Sequence, residues 1–141
     1  MTYLLDTNVV SELRKVGDGR ADPNVTRWIG DQNAGSLYIS ALTVMELEIG
    51  VLRIERRDAG QGGRLRAWLE ERVLPEFADR TLPVDSAVAR RCASLHVPDQ
   101  KSERDALIAA TALVHGMSVV TRNTRDFTAT HVSLVDPWAT A

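Results

Sequence analysis

Apolar residues recur along the chain in short runs that alternate with stretches of helical spacing. Tyr3-Leu4-Leu5 is the first run and stops at Asp6, after which Val9, Val10 and Leu13 fall at helical intervals. A strand-to-helix turn is therefore predicted at Asp6. Asp22-Pro23 opens a second helix, with Val25, Trp28 and Ile29 on one face, and Asn33-Ala34-Gly35 closes it. Leu37-Tyr38-Ile39 reads as a second strand, and Ser40 caps a long helix striped by Leu42, Met45, Ile49 and Leu52. The run Asp58-Ala59-Gly60-Gln61-Gly62-Gly63 breaks that helix. Leu65, Trp68, Leu69 and Val73 mark another, so residues 41–77 read as a helical hairpin.

Leu82-Pro83-Val84 is a third strand, which Pro83 restricts to a sheet edge or a strand start. Asp85 caps a helix through Val88, Cys92 and Leu95. Past the polar loop at 98–101, Ser102 caps a helix that is apolar nearly all round, from Ala106 to Val114, and Gly116 ends it. Such a helix is buried on most sides. Met117 to Thr121 is a fourth strand and Val132 to Val135 a fifth. Strands alternating with helices define an α/β fold, a mostly parallel sheet of four or five strands between two helical layers. No repeat, low-complexity segment or linker divides the chain, and 141 residues suit one domain over 1–141.

Composition narrows the function. At 44% hydrophobic and 26% charged, the mix is that of a soluble globular protein. A formal net charge of -2 excludes a broad, non-specific nucleic-acid binder. It leaves room for a nucleic-acid substrate met through a divalent cation. Cys92 is the only cysteine, so an intramolecular disulfide and a Cys-based zinc site are excluded, which fits a cytoplasmic protein. The N-terminal residues lack the pattern of a signal peptide, and the stretch from Ala106 to Val120 is too short and too polar to span a bilayer.

Four acids are predicted to meet at the carboxyl edge of the sheet, where open parallel sheets bind ligands. Asp6 ends the first strand, and Glu46 lies in the second turn of the helix after the second. Asp105 lies in the first turn of the buried helix, and Asp126 lies just past the fourth strand. Each has a structural alternative: Asp6 as a helix cap, Glu46 as a solvated helix residue, Asp105 and Asp126 as ends of capping-box patterns. Asp85 has only the capping role. As a group the acids need a further partner, since two carboxylates about 5 Å apart repel by roughly 3 kcal/mol at an effective dielectric near 20. Ligation by carboxylates alone points to Mg²⁺ or Mn²⁺. His96, His115 and His131 show no ligand spacing.

Four stretches, Leu4 to Val10, Ser40 to Leu47 with Gly50, Asp105 to Ala112 and Val120 to Phe127, resemble the motifs of the PIN-domain family in their order. The resemblance is closest to the VapC-type toxins of bacterial toxin–antitoxin pairs. It implies a three-layer α/β/α domain and a metal-dependent endoribonuclease whose acid cluster is Asp6, Glu46, Asp105 and Asp126. Asn8, Thr121 and Asn123 match polar positions around that cluster. The implied partners are an RNA substrate, a cognate antitoxin protein and a second copy in a homodimer, without a membrane. Asp6 and Asp126 read as direct metal ligands, with Asp105 completing the shell and Glu46 holding a second ion or acting as base. Arg122 and Arg125 stand where backbone phosphates could be touched. The helical hairpin is either a docking surface or core.

Two other classes compete. A haloacid-dehalogenase-like phosphatase also begins with a strand ending in Asp, but wants an acid where Asn8 stands and a Lys near the phosphate. A non-catalytic interaction module on the same scaffold would gain stability by losing the clustered acids.

Overall fold

The computed structural model describes residues 1–139. Its centre is a five-stranded sheet in which every neighbouring pair is parallel. The strands are β1 (Tyr3–Leu5), β2 (Leu37–Ser40), β3 (Thr81–Leu82), β4 (Ser118–Val120) and β5 (Leu134–Val135). Their spatial order is β3-β2-β1-β4-β5. The chain starts at the centre, winds outward through β2 and β3, then returns to lay β4 on the other side of β1. That reversal opens a crevice at the carboxyl ends of β1 and β4.

The α-helices among the described residues are α1 (Thr7–Leu13), α2 (Pro23–Gly30), α3 (Ala41–Arg57), α4 (Ala59–Trp68), α5 (Leu74–Glu76), α6 (Ser86–Leu95) and α7 (Glu103–His115), with a π-helical turn at Leu69–Val73 joining α4 to α5. Alternation along the strands sorts them into two layers. Leu5, Leu37, Ile39 and Val120 face one side and pack with Val9, Leu47, Val51, Leu69 and Val73 of the first helices and the hairpin. Leu4 and Val119 face the other side and pack with Ile108, Ala109 and Ala112 of α7, together with Phe127. The domain is thus a three-layer α/β/α sandwich.

Local signals explain most boundaries. Asp22, Ser40 and Asp85 each accept a backbone N–H of the helix they precede, and Gly116 closes α7 in the left-handed region at φ 68°. Pro83 follows β3 at the sheet edge, as its missing donor requires. Several expectations need correction. The second helix stops at Gly30, and Ala34–Ser36 is a separate 3-10 turn. The third, fourth and fifth strands are shorter than their apolar runs. The buried face of α3 carries Leu42, Thr43, Leu47 and Val51, while Met45 and Leu52 are 40% and 53% exposed. Residues 59–63 do not form a loop. Asp58 alone breaks the helix, ending α3 and capping α4, whose first turns contain the glycines. No described helix is long and apolar enough to cross a membrane.

The hairpin owes its closeness to one of those glycines. A Cβ on Gly62 would lie 2.5 Å from Glu55 Cα, so α4 crosses α3 only where a side chain is missing. Arg66 fastens the pair by reaching Glu48 and Glu55 on α3 at 2.6 and 3.0 Å. Gly62→Ala should therefore overpack the crossing and destabilise by about 1–3 kcal/mol. Gly63→Ala, with nothing within 4 Å, should stabilise by about 0.5–1 kcal/mol. Paired denaturant titrations check both signs.

Candidate functional site

β1 delivers Asp6 to the crevice, and the turn into α1 fixes its carboxylate. Asp6 is 7% exposed. Its Oδ1 accepts the Thr7 backbone N–H at 2.8 Å, and its Oδ2 accepts the Thr121 hydroxyl at 2.8 Å. Thr121, fully buried, follows the last residue of β4. Its Oγ1 also accepts the Asn123 backbone N–H at 3.0 Å and lies 3.3 Å from Asn8 Nδ2. Asn8 Oδ1 accepts the Arg122 backbone N–H at 3.3 Å. Together these bonds lace the loop after β4 to the first turn of α1.

Glu46 arrives from α3. Its Oε1 accepts the Thr7 hydroxyl at 2.7 Å, and that hydroxyl lies 3.2 Å from the buried Thr43 hydroxyl. Its Oε2 is 3.6 Å from Arg104 Nη1, a half-exposed guanidinium on α7. Asp105, on the first turn of α7, is partly buried, and Asp126 is exposed in the 3-10 segment Thr124–Thr130. Neither Ser102 nor Asn123 caps its helix through a side-chain bond to a backbone N–H, although the Ser102 side chain does bond Asp105. Asp85, by contrast, is a plain cap, accepting Val88 N–H at 3.0 Å.

The four carboxylates share one electrostatic field. Burial pushes the Asp6 carboxyl above its ordinary range, the hydrogen bonds from Thr121 and Thr7 pull it down, and the charges of Glu46 and Asp105 push it up. Burial likewise raises Asp105, followed by the charge of Asp126, with Ser102 opposing and Glu46 adding. Among the described residues no three His, Cys, Asp or Glu side chains close on a single point. A Mg²⁺-class ion does not demand such closure, because it keeps several waters and is held through one or two carboxylates. The donor set therefore fits a hard divalent cation: carboxylates only, two of them held above their ordinary pKa by burial and by neighbouring negative charge.

Three residues at the site carry no signal in the sequence. Thr7 and Thr43 form the hydroxyl clamp on Glu46, and Arg104 faces its other oxygen. Thr7 lies beside Asp6, but nothing local announces a partner 39 residues away. Arg122 stacks over the Trp138 ring at 5.3 Å, and Arg125 is exposed on the same segment.

A sheet wound outward from β1, with acids gathered at its switch point, defines a class, and the family comparison agrees: the PIN-domain model matches residues 3–131. The chain belongs to the PIN-domain family. It is 40% identical to VapC ribonuclease Y4jK of Sinorhizobium fredii, over 98% of this chain and 99% of that protein. It is 38% identical to toxin FitB of Neisseria gonorrhoeae, over 96% and 97% respectively. A crystal structure of FitAcB from Neisseria gonorrhoeae superposes with a TM-score of 0.89 at 34% identity, covering 99% of this chain and 100% of that one. A structure of FitAB bound to an IR36 DNA fragment matches equally well, with a TM-score of 0.89 at 33% identity over 99% and 98%. Membership displaces the haloacid-dehalogenase-like alternative.

Raised folded-state values for Asp6 and Asp105 fix the sign of a pH effect. A carboxylate whose folded pKa exceeds its unfolded value, about 3.9 for Asp, costs stability while charged in both states. The cost shrinks as pH falls through the folded pKa and is gone below the unfolded one. In chelator, Asp105→Asn should melt higher than wild type at neutral pH, and the gap should close as pH falls toward the unfolded value. Melting curves over a pH series check it; a constant gap would remove Asp105 from the coupled group.

Proposed function

We propose that this protein is the toxin of a toxin–antitoxin pair, an endoribonuclease that hydrolyses RNA phosphodiesters with Mg²⁺ or Mn²⁺ at Asp6, Glu46, Asp105 and Asp126. The observation that carries the reading is the pair Asp6 and Glu46 held by Thr7 and Thr121 at the carboxyl edge of the sheet, with the charges of Glu46 and Asp105 acting on Asp6 and those of Asp126 and Glu46 acting on Asp105. The family and the names of the relatives, a VapC ribonuclease and a FitB toxin, support it.

Asp6, Asp105 and Asp126 would hold the cation, with Glu46 beside them. When bound, it supplies Lewis acidity to a phosphoryl oxygen and lowers the pKa of a water. The chain's own residues do the rest. Thr121 and the Thr7 N–H fix the Asp6 carboxylate in place and favour its charged form against the opposing effect of burial. Thr7 aims Glu46 at the same place, where it can take the proton of an attacking water. Arg104 is placed to neutralise Glu46 at rest or to meet negative charge developing on phosphorus. The Asn123 N–H holds Thr121 and so acts one step further back, while Asn8 Nδ2 reaches both Thr121 Oγ1 at 3.3 Å and Asp6 Oδ2 at 3.4 Å. Arg122 and Arg125, on the exposed loop beside Asp126, are candidate contacts for flanking phosphates.

The partners follow from the same reading. A cognate antitoxin protein is the expected partner, a reading that the likeness to the FitAB and FitAcB structures supports, and a homodimer is the expected assembly. The purified protein should cut RNA with Mg²⁺ or Mn²⁺ and stop in chelator, and its expression alone should arrest bacterial growth. Asp6→Asn should abolish cleavage and relieve the arrest, whereas Asp85→Asn should leave both, since Asn caps about as well as Asp. Thr121→Val should lower cleavage about 10–100-fold by releasing Asp6, with the fold retained. Full toxicity of Asp6→Asn at matched protein level would defeat the nuclease reading and favour a non-catalytic module.

A further inference from the structure

A groove of about 600 Å³ leads away from the acid cluster between α1, α3 and α4. Thr7 and Glu46 form its near end, Val51, Ile54 and Trp68 lie along its apolar floor, and Arg14, Arg53, Arg56 and Arg57 line its rim. Glu46 is the sole carboxylate among its lining residues. None of the four arginines takes part in an ion pair among the described residues. The acids of α3 are engaged elsewhere: Glu48 and Glu55 turn to Arg66, which also takes Glu70. In a chain of net charge -2, the groove is thus a local concentration of unpaired guanidinium groups. Such a row of like charges favours an anion that can contact several of them at once.

We infer that this groove carries the single-stranded RNA beside the phosphodiester being cut, with Arg53, Arg56 and Arg57 on its phosphates. The inference rests on the ribonuclease reading above and extends it. Continuity selects RNA over an acidic peptide: a strand whose phosphodiester sits among the four acids must leave that cluster, and the groove begins at Glu46. Arg57 lies eleven residues along α3 from Glu46, about 16 Å at helical rise, which is the reach of a few nucleotides. Guanidinium groups pair with phosphate oxygens in bidentate fashion, and the half-buried Trp68 offers an aromatic face for a base.

The test uses full-length Asp6→Asn protein, so that RNA is held without being cut. A short fluorescein-labelled single-stranded RNA of mixed sequence is titrated by anisotropy across a KCl series. Adding Arg53→Ala and Arg57→Ala should weaken binding and reduce the slope of log K against log salt by about 1.4, roughly 0.7 for each phosphate that is no longer neutralised. Arg90→Ala with Arg91→Ala, on the exposed side of α6, should change neither. The melting temperature of the groove variant should match its parent, because the removed side chains have no ion-pair partners among the described residues. An unchanged slope would overturn the assignment, as would the absence of RNA binding by the Asp6→Asn protein. Loss of poly-L-glutamate binding with RNA binding intact would give the groove to an acidic protein partner instead. If wild type leaves RNA uncut with Mn²⁺ while the groove variant still loses RNA, the nuclease reading fails and the groove assignment stands.

Discussion

The structure is organised around a carboxylate buried at the end of its central strand. Removing Asp6 from water disfavours its charged form, and the fold offsets this only in part. The Thr7 N–H and the positive end of α1 meet one oxygen, and the Thr121 hydroxyl meets the other. Neither donor is free to be elsewhere, since Thr7 begins the helix and Thr121 directly follows the neighbouring strand. The β1–β4 pairing, Leu5 opposite Val120, sets both residues at one edge in one register. A slip of one residue would turn Thr121 to the other face and leave Asp6 without its second donor.

From that anchor the site grades from rigid to loose. Glu46 is held through Thr7 and Thr43, both packed into the start of a helix, while Asp105 is partly covered and Asp126 stands in solvent on a 3-10 segment. A charged ligand is best received by such a gradient. The buried side supplies fixed geometry, and the exposed side supplies a carboxylate that can move inward without breaking a hydrogen bond. The strain is confined to acids at the crevice, so the core clusters on both sides of the sheet remain apolar and complete.

How much of this is legible in the sequence follows from the range of each signal. Strand-to-helix turns at Asp6, Ser40 and Asp85 and the stop at Gly116 are written locally, in a capping side chain or a left-handed glycine. The expectation that the acids share one edge is legible because, in a parallel sheet, the N-termini of the crossover helices lie at the carboxyl ends of the strands. Thr7, Thr43 and Arg104 are not legible, since their role depends on side chains meeting across dozens of residues. The α3 stripe fails for a related reason: Met45, Ile49 and Leu52 do recur at helical spacing, yet periodicity says only that a face exists. Which face is covered depends on where α1 and α4 come to lie. The glycine run at 60–63 misleads because glycine usually marks a break, whereas Gly62 is there so that two backbones can approach.

Arginine placement connects the scaffold to the chemistry. Arg66 and Arg80 are structural: one ties α4 to α3, and the other is 12% exposed, donates to the Ala34 and Leu37 carbonyls at 2.6 Å and lies over the Phe77 ring. By gathering Glu48 and Glu55 onto the α4 side of α3, Arg66 strips the opposite rim of counter-charge. The same ion network that closes the hairpin therefore leaves Arg53, Arg56 and Arg57 bare beside the acid cluster. A protein whose overall charge repels polyanions can in this way present one short cationic lane leading to a strongly anionic pocket. On the ribonuclease reading that juxtaposition would order the events at the site: the lane would attract the phosphate chain, and the pocket would admit it once a cation offset the carboxylates.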